Sequence, residues 1–140
     1  MNRYEFIDHT ADIIARAYGD TIEEAFASAA RAMFDVITGG ARIDAASRFD
    51  IEVESIDVEG LLVGFLSDLI VLHETEEVVL SRFEVEFDGV TKLRAVCHGE
   101  QFDRERHFDG TPVKGISYHL LEIETDHGDE PCHVQVLFDI

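Results

Sequence analysis

The stretch Gly19–Gly40, "GDTIEEAFASAARAMFDVITGG", decides how the chain is organised. Gly19 interrupts the apolar segment before it. Asp20-x-x-Glu23 has the form of a capping box, in which a side-chain oxygen accepts from an early backbone N–H and an acid three residues on reaches back. Ile22, Ala25, Phe26, Ala29, Met33, Val36 and Ile37 then recur at helical spacing, and Gly39-Gly40 supplies the left-handed stop. A long helix is therefore expected immediately after whatever residues 4–18 form.

Those residues read as two strands. Tyr4 to Asp8 is short and aromatic, Asp12 to Tyr18 is apolar with β-branched residues, and His9-Thr10-Ala11 separates them as a polar turn. Beyond the helix, Phe49, Ile51 and Val53 alternate with Asp50, Glu52 and Glu54, the period of a half-buried strand. Asp57 is placed to cap a second helix carrying Leu61, Leu62, Phe65, Leu66, Leu69 and Ile70. That helix is apolar round much of its circumference, so cover on more than one side is expected. Phe83, Val85 and Phe87 alternate again, and Asp88-Gly89 signals a hairpin into a strand around Thr91 to Val96. Leu120 to Thr125 and His133 to Phe138 look like two further strands joined by the polar turn from His127 to Pro131. Two long helices among six or seven strands with hairpin links predict an α+β fold, a single domain over 1–140 with a mixed or antiparallel sheet.

Composition narrows the function. Thirty acids against eleven bases give a formal net charge of −19, and only two of the bases are lysines, Lys92 and Lys114. Such a surface repels phosphates, so direct nucleic-acid binding is not expected. It suits a basic protein partner, divalent cations, or plain solubility in a salty cytosol. No run approaches the roughly 18 apolar residues of a membrane-spanning helix. The opening "MNRYEFIDHT" has no secretory apolar run, which points to a cytoplasmic location. Cys97 and Cys132 lie far apart without close ligand pairs, so they read as buried thiols. Each precedes a histidine, which leaves a Cys/His zinc site as the alternative.

Chemistry-bearing residues gather at the two ends. Asp12 opens an apolar strand and Asp139 closes another, on the face opposite Phe138 because the strand period is two. Ile140 adds a terminal carboxylate where the chain ends naturally there. Converging carboxylates repel unless protons or a cation neutralise them, and hard oxygen ligands suit Ca²⁺ or Mg²⁺. The alternative is acids at strand ends facing water. Asp8-His9 could form an oriented general base, and with Asp12 and Asp139 a metal-dependent hydrolase; a hydrogen-bonded turn histidine is the plainer reading. His98, His107 and His119 could join such a cluster, although the seven histidines show no H-x-x-x-H or H-E-x-x-H pairing. No G-x-S-x-G, phosphate loop or dinucleotide fingerprint is present. Lys114, after Pro112-Val113, could pair with carboxylates, touch a phosphate, anchor a partner, or be a surface lysine. "DRERH", Asp103 to His107, reads as a solvated mixed-charge segment or the rim of a contact site.

Taken together, "DHTADI" at 8–13, "RAYG" at 16–19, "EEAF" at 23–26, "GE" at 99–100 with "DRERH" at 103–107, "VKGISYH" at 113–119 and the terminal "FDI" resemble the archeases. The match is ordered and spans nearly the whole chain. Ile14 departs from an expected glycine, and "KGISYH" from a more usual Lys-Ala-Val-Thr-Tyr-His, while retaining Lys114, Tyr118 and His119. The resemblance implies an Hsp33-like α+β archease fold. It implies a non-catalytic cofactor of the RtcB-type RNA ligase of tRNA splicing, promoting guanylylation and multiple turnover. It also implies a divalent-metal site, Ca²⁺ first with Mg²⁺ or Mn²⁺ as substitutes, held by Asp12, Asp139 and the carboxylate of Ile140. Lys114 and His9 become candidates for contact with the ligase. A general chaperone is the further alternative.

Overall fold

The computed structural model describes residues 3–7, 12–107, 110–125 and 131–140. Among these described residues, seven strands and three helices follow in order as β1 (Arg3–Ile7), β2 (Ile13–Gly19), α1 (Ile22–Thr38), β3 (Ser47–Glu54), α2 (Val58–Glu76), β4 (Val78–Asp88), β5 (Lys92–Gln101), α3 (Arg104–His107), β6 (Gly115–Glu124) and β7 (Cys132–Asp139). The strands divide into two antiparallel sheets, one ordered β1-β2-β7-β6 and the other β3-β5-β4. The α+β class expected from the sequence is what the chain adopts.

Both long helices lie between the sheets. α1 packs on β2, β7 and β1 of the first sheet and on β4 of the second, while α2 packs on β6 of the first and on β3, β4 and β5 of the second. This explains why α1 is buried beyond the single face that its spacing suggests. Ala25, Phe26, Ala27, Ser28, Ala29 and Ala30 are all buried in succession, covered from both sides. Alanine permits that, because its small side chain lets two layers approach one helix closely. The buried Ser28 hydroxyl donates to the Tyr18 carbonyl at 2.8 Å and accepts from the Arg3 N–H at 3.3 Å, which pins α1 to β2 and β1. Phe26 stacks on Phe65 of α2 and meets Phe87 of β4 edge-on, and Phe34 stacks on Phe83 of β4. α2 is covered on both sides, as its apolar circumference requires.

The caps follow the expected chemistry with one shift. Thr21, not Asp20, is the N-cap of α1, its hydroxyl accepting from the Glu24 N–H at 3.2 Å. The Glu24 carboxylate reaches back to the Asp20 N–H at 2.8 Å, so the box sits one residue later than Asp20-x-x-Glu23. Both registers carry a capping residue followed by an acid three residues on, and the backbone decides between them. Gly39 closes the helix at φ 69, its N–H returning to the Asp35 carbonyl. Asp57 caps α2 as expected, accepting from the Gly60 N–H at 2.7 Å. The Asp88-Gly89 hairpin joins β4 to β5, pairing Asp88 with Lys92. β6 begins at Gly115, five residues before the strand read from the sequence. The polar turn expected between β6 and β7 falls mostly outside the described residues. No described helix is long and apolar enough to cross a membrane.

Candidate functional site at the paired ends of β2 and β7

β2 and β7 are hydrogen-bonded neighbours in the middle of the first sheet, with Ile13 opposite Phe138 and Ile14 opposite Leu137. Asp12 immediately precedes Ile13 and Asp139 immediately follows Phe138, so the two acids stand at the same end of adjacent strands. Alternation fixes the faces. Ala15, Ala17, Val134, Val136 and Phe138 turn inward to the helices and are buried. Asp139, the last residue of β7, has the opposite parity and lies with Arg16 and Gln135 on the outer face, and Asp12 is the half-buried bend residue just before β2. Asp139 is exposed, as expected from its place beside the buried Phe138, and Ile140 is 38% exposed.

A third strand completes the corner. Gly115 of β6 pairs with Asp139, and the Lys114 N–H donates to the Asp139 carbonyl at 2.7 Å. Lys114, exposed, is thereby brought to the same corner as the acids. A β-carbon on Gly115 would sit 3.6 Å from Asp139 Oδ2, so glycine leaves the space beside that carboxylate open. The donor chemistry, side-chain carboxylates at one end of paired strands with no β6 side chain beside Asp139, is of the kind a hard divalent cation takes. Among the described residues no three His, Cys, Asp or Glu side chains converge on a metal-sized site. Asp8 and His9 lie outside the described residues.

The outer face continues into an irregular edge. Between Ser117, opposite Leu137, and Glu122, opposite Gln135, β6 carries more residues than β7, a bulge spanning Tyr118 to Leu121. Leu120 is held there at φ 60. Its carbonyl accepts from Gln135 Nε2 at 2.9 Å, while Gln135 Oε1 accepts from Arg16 Nη2 at 2.6 Å and Nε at 3.2 Å. The bulge thus reaches over the outer face, where Ile14 and Leu137 are buried apart from the main core. The departure at Ile14 is accounted for by this second, smaller apolar patch.

The other polar motifs have structural employment. Asp103 opens α3, its side chain accepting from the Glu105 N–H at 2.9 Å and its backbone N–H donating to His107 Nδ1 at 2.9 Å. With Nδ1 an acceptor, Nε2 carries the proton and donates to Glu100 Oε2 at 3.2 Å. His107 is fully buried, an exception within "DRERH", whose other four residues are exposed as a solvated mixed-charge segment would be. Glu100 also accepts from Arg106 Nη1 at 2.7 Å and from the Asp44 N–H at 2.8 Å. Burial pushes the Glu100 carboxyl upward, but the Asp44 N–H, Arg106 and His107 outweigh it and hold the group below its ordinary range. A group depressed on folding contributes stability that is present above the unfolded value, about 4.3, and is lost as pH falls through the folded one. Glu100→Gln is expected to lower the thermal midpoint at pH 7, and the gap from wild type should close below about pH 4. Equal midpoints at pH 7 would refute this role.

His98, His107 and His119 do not form a cluster. His98 faces outward on β5 between Arg48 and Arg82, His107 is committed to Glu100 and Asp103, and His119 lies in the β6 bulge of the other sheet. Cys97 is buried in β5, where burial pushes its thiol up to about 12, and it is inert as a ligand or nucleophile near neutrality. Cys132 is in β7 of the opposite sheet, its thiol directed to the Thr125 carbonyl at 3.3 Å.

A two-sheet α+β chain with acids at one end of its central strands and caps, turns and glycines in these places defines a recognisable class. The model of the archease protein family (MTH1598/TM1083) matches residues 4–140. The archease of Pyrococcus furiosus is 46% identical, with 89% of each chain covered. That of Methanosarcina mazei is 39% identical, covering 99% of this chain and 96% of its own. Among solved structures, protein 1598 of Methanobacterium thermoautotrophicum superposes with a TM-score of 0.74 at 31% identity, covering 98% of both chains. A Thermotoga maritima archease, described as a possible chaperone, superposes with a TM-score of 0.62 at 25% identity, covering 96% of this chain and 94% of its own. The chain belongs to the archease family.

Proposed function

We propose that this archease is a non-catalytic activator of an RtcB-type tRNA-splicing RNA ligase in the cytoplasm, promoting guanylylation and multiple turnover. The observation that carries this reading beyond family membership is the placement of Asp12 and Asp139 at one end of the paired strands β2 and β7, with Lys114 at the same corner. Asp12, Asp139 and the carboxylate of Ile140 would hold a divalent cation, Ca²⁺ by preference, with Mg²⁺ or Mn²⁺ as substitutes. A bound cation would neutralise the three carboxylates and let this corner approach a partner site that itself carries nucleotide phosphate. Lys114 would contact that partner. A strongly acidic chain also meets a basic RNA-binding enzyme faster and with less competition from RNA itself.

The test is ligation of tRNA exon halves by an RtcB-type ligase under multiple-turnover conditions, with and without the purified chain. Stimulation of turnover by the chain, which alone should show no ligation, is the expected result. Unchanged turnover would remove the reading. The description of the Thermotoga protein as a possible chaperone favours a second reading, general chaperoning. Suppressed aggregation of unrelated unfolded clients would support that alternative. Hydrolysis of phosphoesters lost on Asp12→Ala would support a metal-dependent hydrolase built on Asp8, His9, Asp12 and Asp139.

A further inference from the structure

The β6 bulge exposes two apolar side chains, Tyr118 at 61% and Leu120 at 44%. Water does not favour that arrangement, and neither does the backbone. Leu120 holds a left-handed φ that an L side chain rarely adopts, and the surrounding structure maintains it. Arg16 holds Gln135, and Gln135 holds the Leu120 carbonyl. The protrusion is therefore braced before any partner arrives, so little ordering entropy remains to be lost on contact. A bulge on an edge strand also discourages the addition of another strand, so a partner meets its side chains and not its backbone ladder.

The surroundings select the partner. Glu122 and Glu124 follow on β6, and Asp139 pairs with Gly115 three residues before Tyr118, roughly 10 Å along the strand. Of the described cations near this face, Arg16 is engaged by Gln135, Arg3 by Asp20 at 3.3 Å, and exposed Lys114 stands at the Asp139 corner four residues before Tyr118, so the acids outnumber the cations around the bulge. An aromatic face rimmed by carboxylates attracts a guanidinium or ammonium through the ring quadrupole and the acids together. The same rim repels a phosphate backbone.

We propose that the Tyr118–Leu120 bulge is a docking surface for a basic protein, with an arginine or lysine of that partner laid over the Tyr118 ring and its aliphatic stem against Leu120. This rests on the ligase-activator reading, which supplies a basic, RNA-binding enzyme as the partner.

The experiment titrates the chain into a fixed amount of RtcB-type ligase under multiple-turnover conditions, comparing wild type, Tyr118→Ala and Tyr118→Phe. Tyr118→Ala should raise the concentration for half-maximal stimulation by about tenfold and leave the plateau unchanged, while Tyr118→Phe, which keeps the ring, stays near wild type. Because Tyr118 is largely exposed, the thermal midpoints of all three should agree, which separates docking from folding. An unchanged half-maximal concentration, or a lowered plateau alone, overturns the docking surface while the activator reading stands. Absence of stimulation by wild type removes the activator reading and the docking inference with it. Binding of a labelled tRNA exon half by wild type that is lost in Tyr118→Ala would assign the surface to RNA and overturn the proposal as well.

Discussion

Asp12→Ala is expected to remove most of the chain's response to divalent cations. In the wild-type protein, Ca²⁺ at a hundred times its dissociation constant should stabilise the fold by about 2.7 kcal/mol. For a chain of this size that is a rise in thermal midpoint of roughly 10 °C. Losing one of three anionic ligands should cost more than the roughly 10–100-fold in affinity that outer-shell changes cost. At the same Ca²⁺ concentration the rise should therefore fall by well over half. One glycine appended after Ile140 makes the sharper companion, because it preserves every side chain and displaces only the terminal carboxylate, by about 3.5 Å. That variant tests the proposed role of the Ile140 carboxylate separately from the proposed role of Asp12. A Ca²⁺ response that is undiminished in both variants would sink the metal site. The ligation assay would then be needed to say whether activation survives without it.

The second large effect is purely structural. Gly99 lies in β5, the central strand of the second sheet, opposite Ser47 on one side and Leu80 on the other. A β-carbon there would overlap the Val79 carbonyl oxygen and come within 2.7 Å of Leu80 Cα. Both obstacles are backbone atoms of fully buried residues, so no rotamer change relieves them. The register shift between Leu80 and Arg82 begins at this point, which indicates that the two strands are brought unusually close. Gly99→Ala should cost about 3 kcal/mol, lowering the midpoint by roughly 10 °C. Calorimetry within about 1 °C of wild type would show that β4 moves aside without penalty, contrary to this expectation.

Local patterns carried much of the fold into the sequence. Alternation in Phe49-Asp50-Ile51-Glu52-Val53 marked β3, Asp57 marked the start of α2, and Asp88-Gly89 marked the hairpin, because each signal depends on near neighbours in the chain. The same parity puts Asp139 on the outer side of its strand, where it is exposed. Other features depend on distant partners and left no local trace. The bulge destroys alternation through Tyr118 to Leu121, so the first half of β6 did not read as a strand. The two-sided burial of α1 needs knowledge of both sheets. His107 sits among charges in "DRERH", yet its ring is buried because Glu100 and the Asp103 N–H receive it. For the candidate metal corner, strand-end positions made a carboxylate cluster possible and the family resemblance made it an expectation; the pairing of β2 with β7 supplies the physical reason that Asp12 and Asp139 lie at one end of one sheet.

That pairing also sets a schedule. β2 is the second strand made and β7 the last, so the carboxylate corner is built from the most non-local contact in the chain. Contacts of this kind form late, since the loop they close must be ordered first. During synthesis, β1, β2 and α1 emerge with their eventual neighbour still unmade, and a nascent chain carries Asp12 without Asp139. The corner exists only after β7 has been made and the first sheet has closed. A copy that lacks β7, or whose first sheet has not closed, has no such corner to present, so the corner is a report of completed folding.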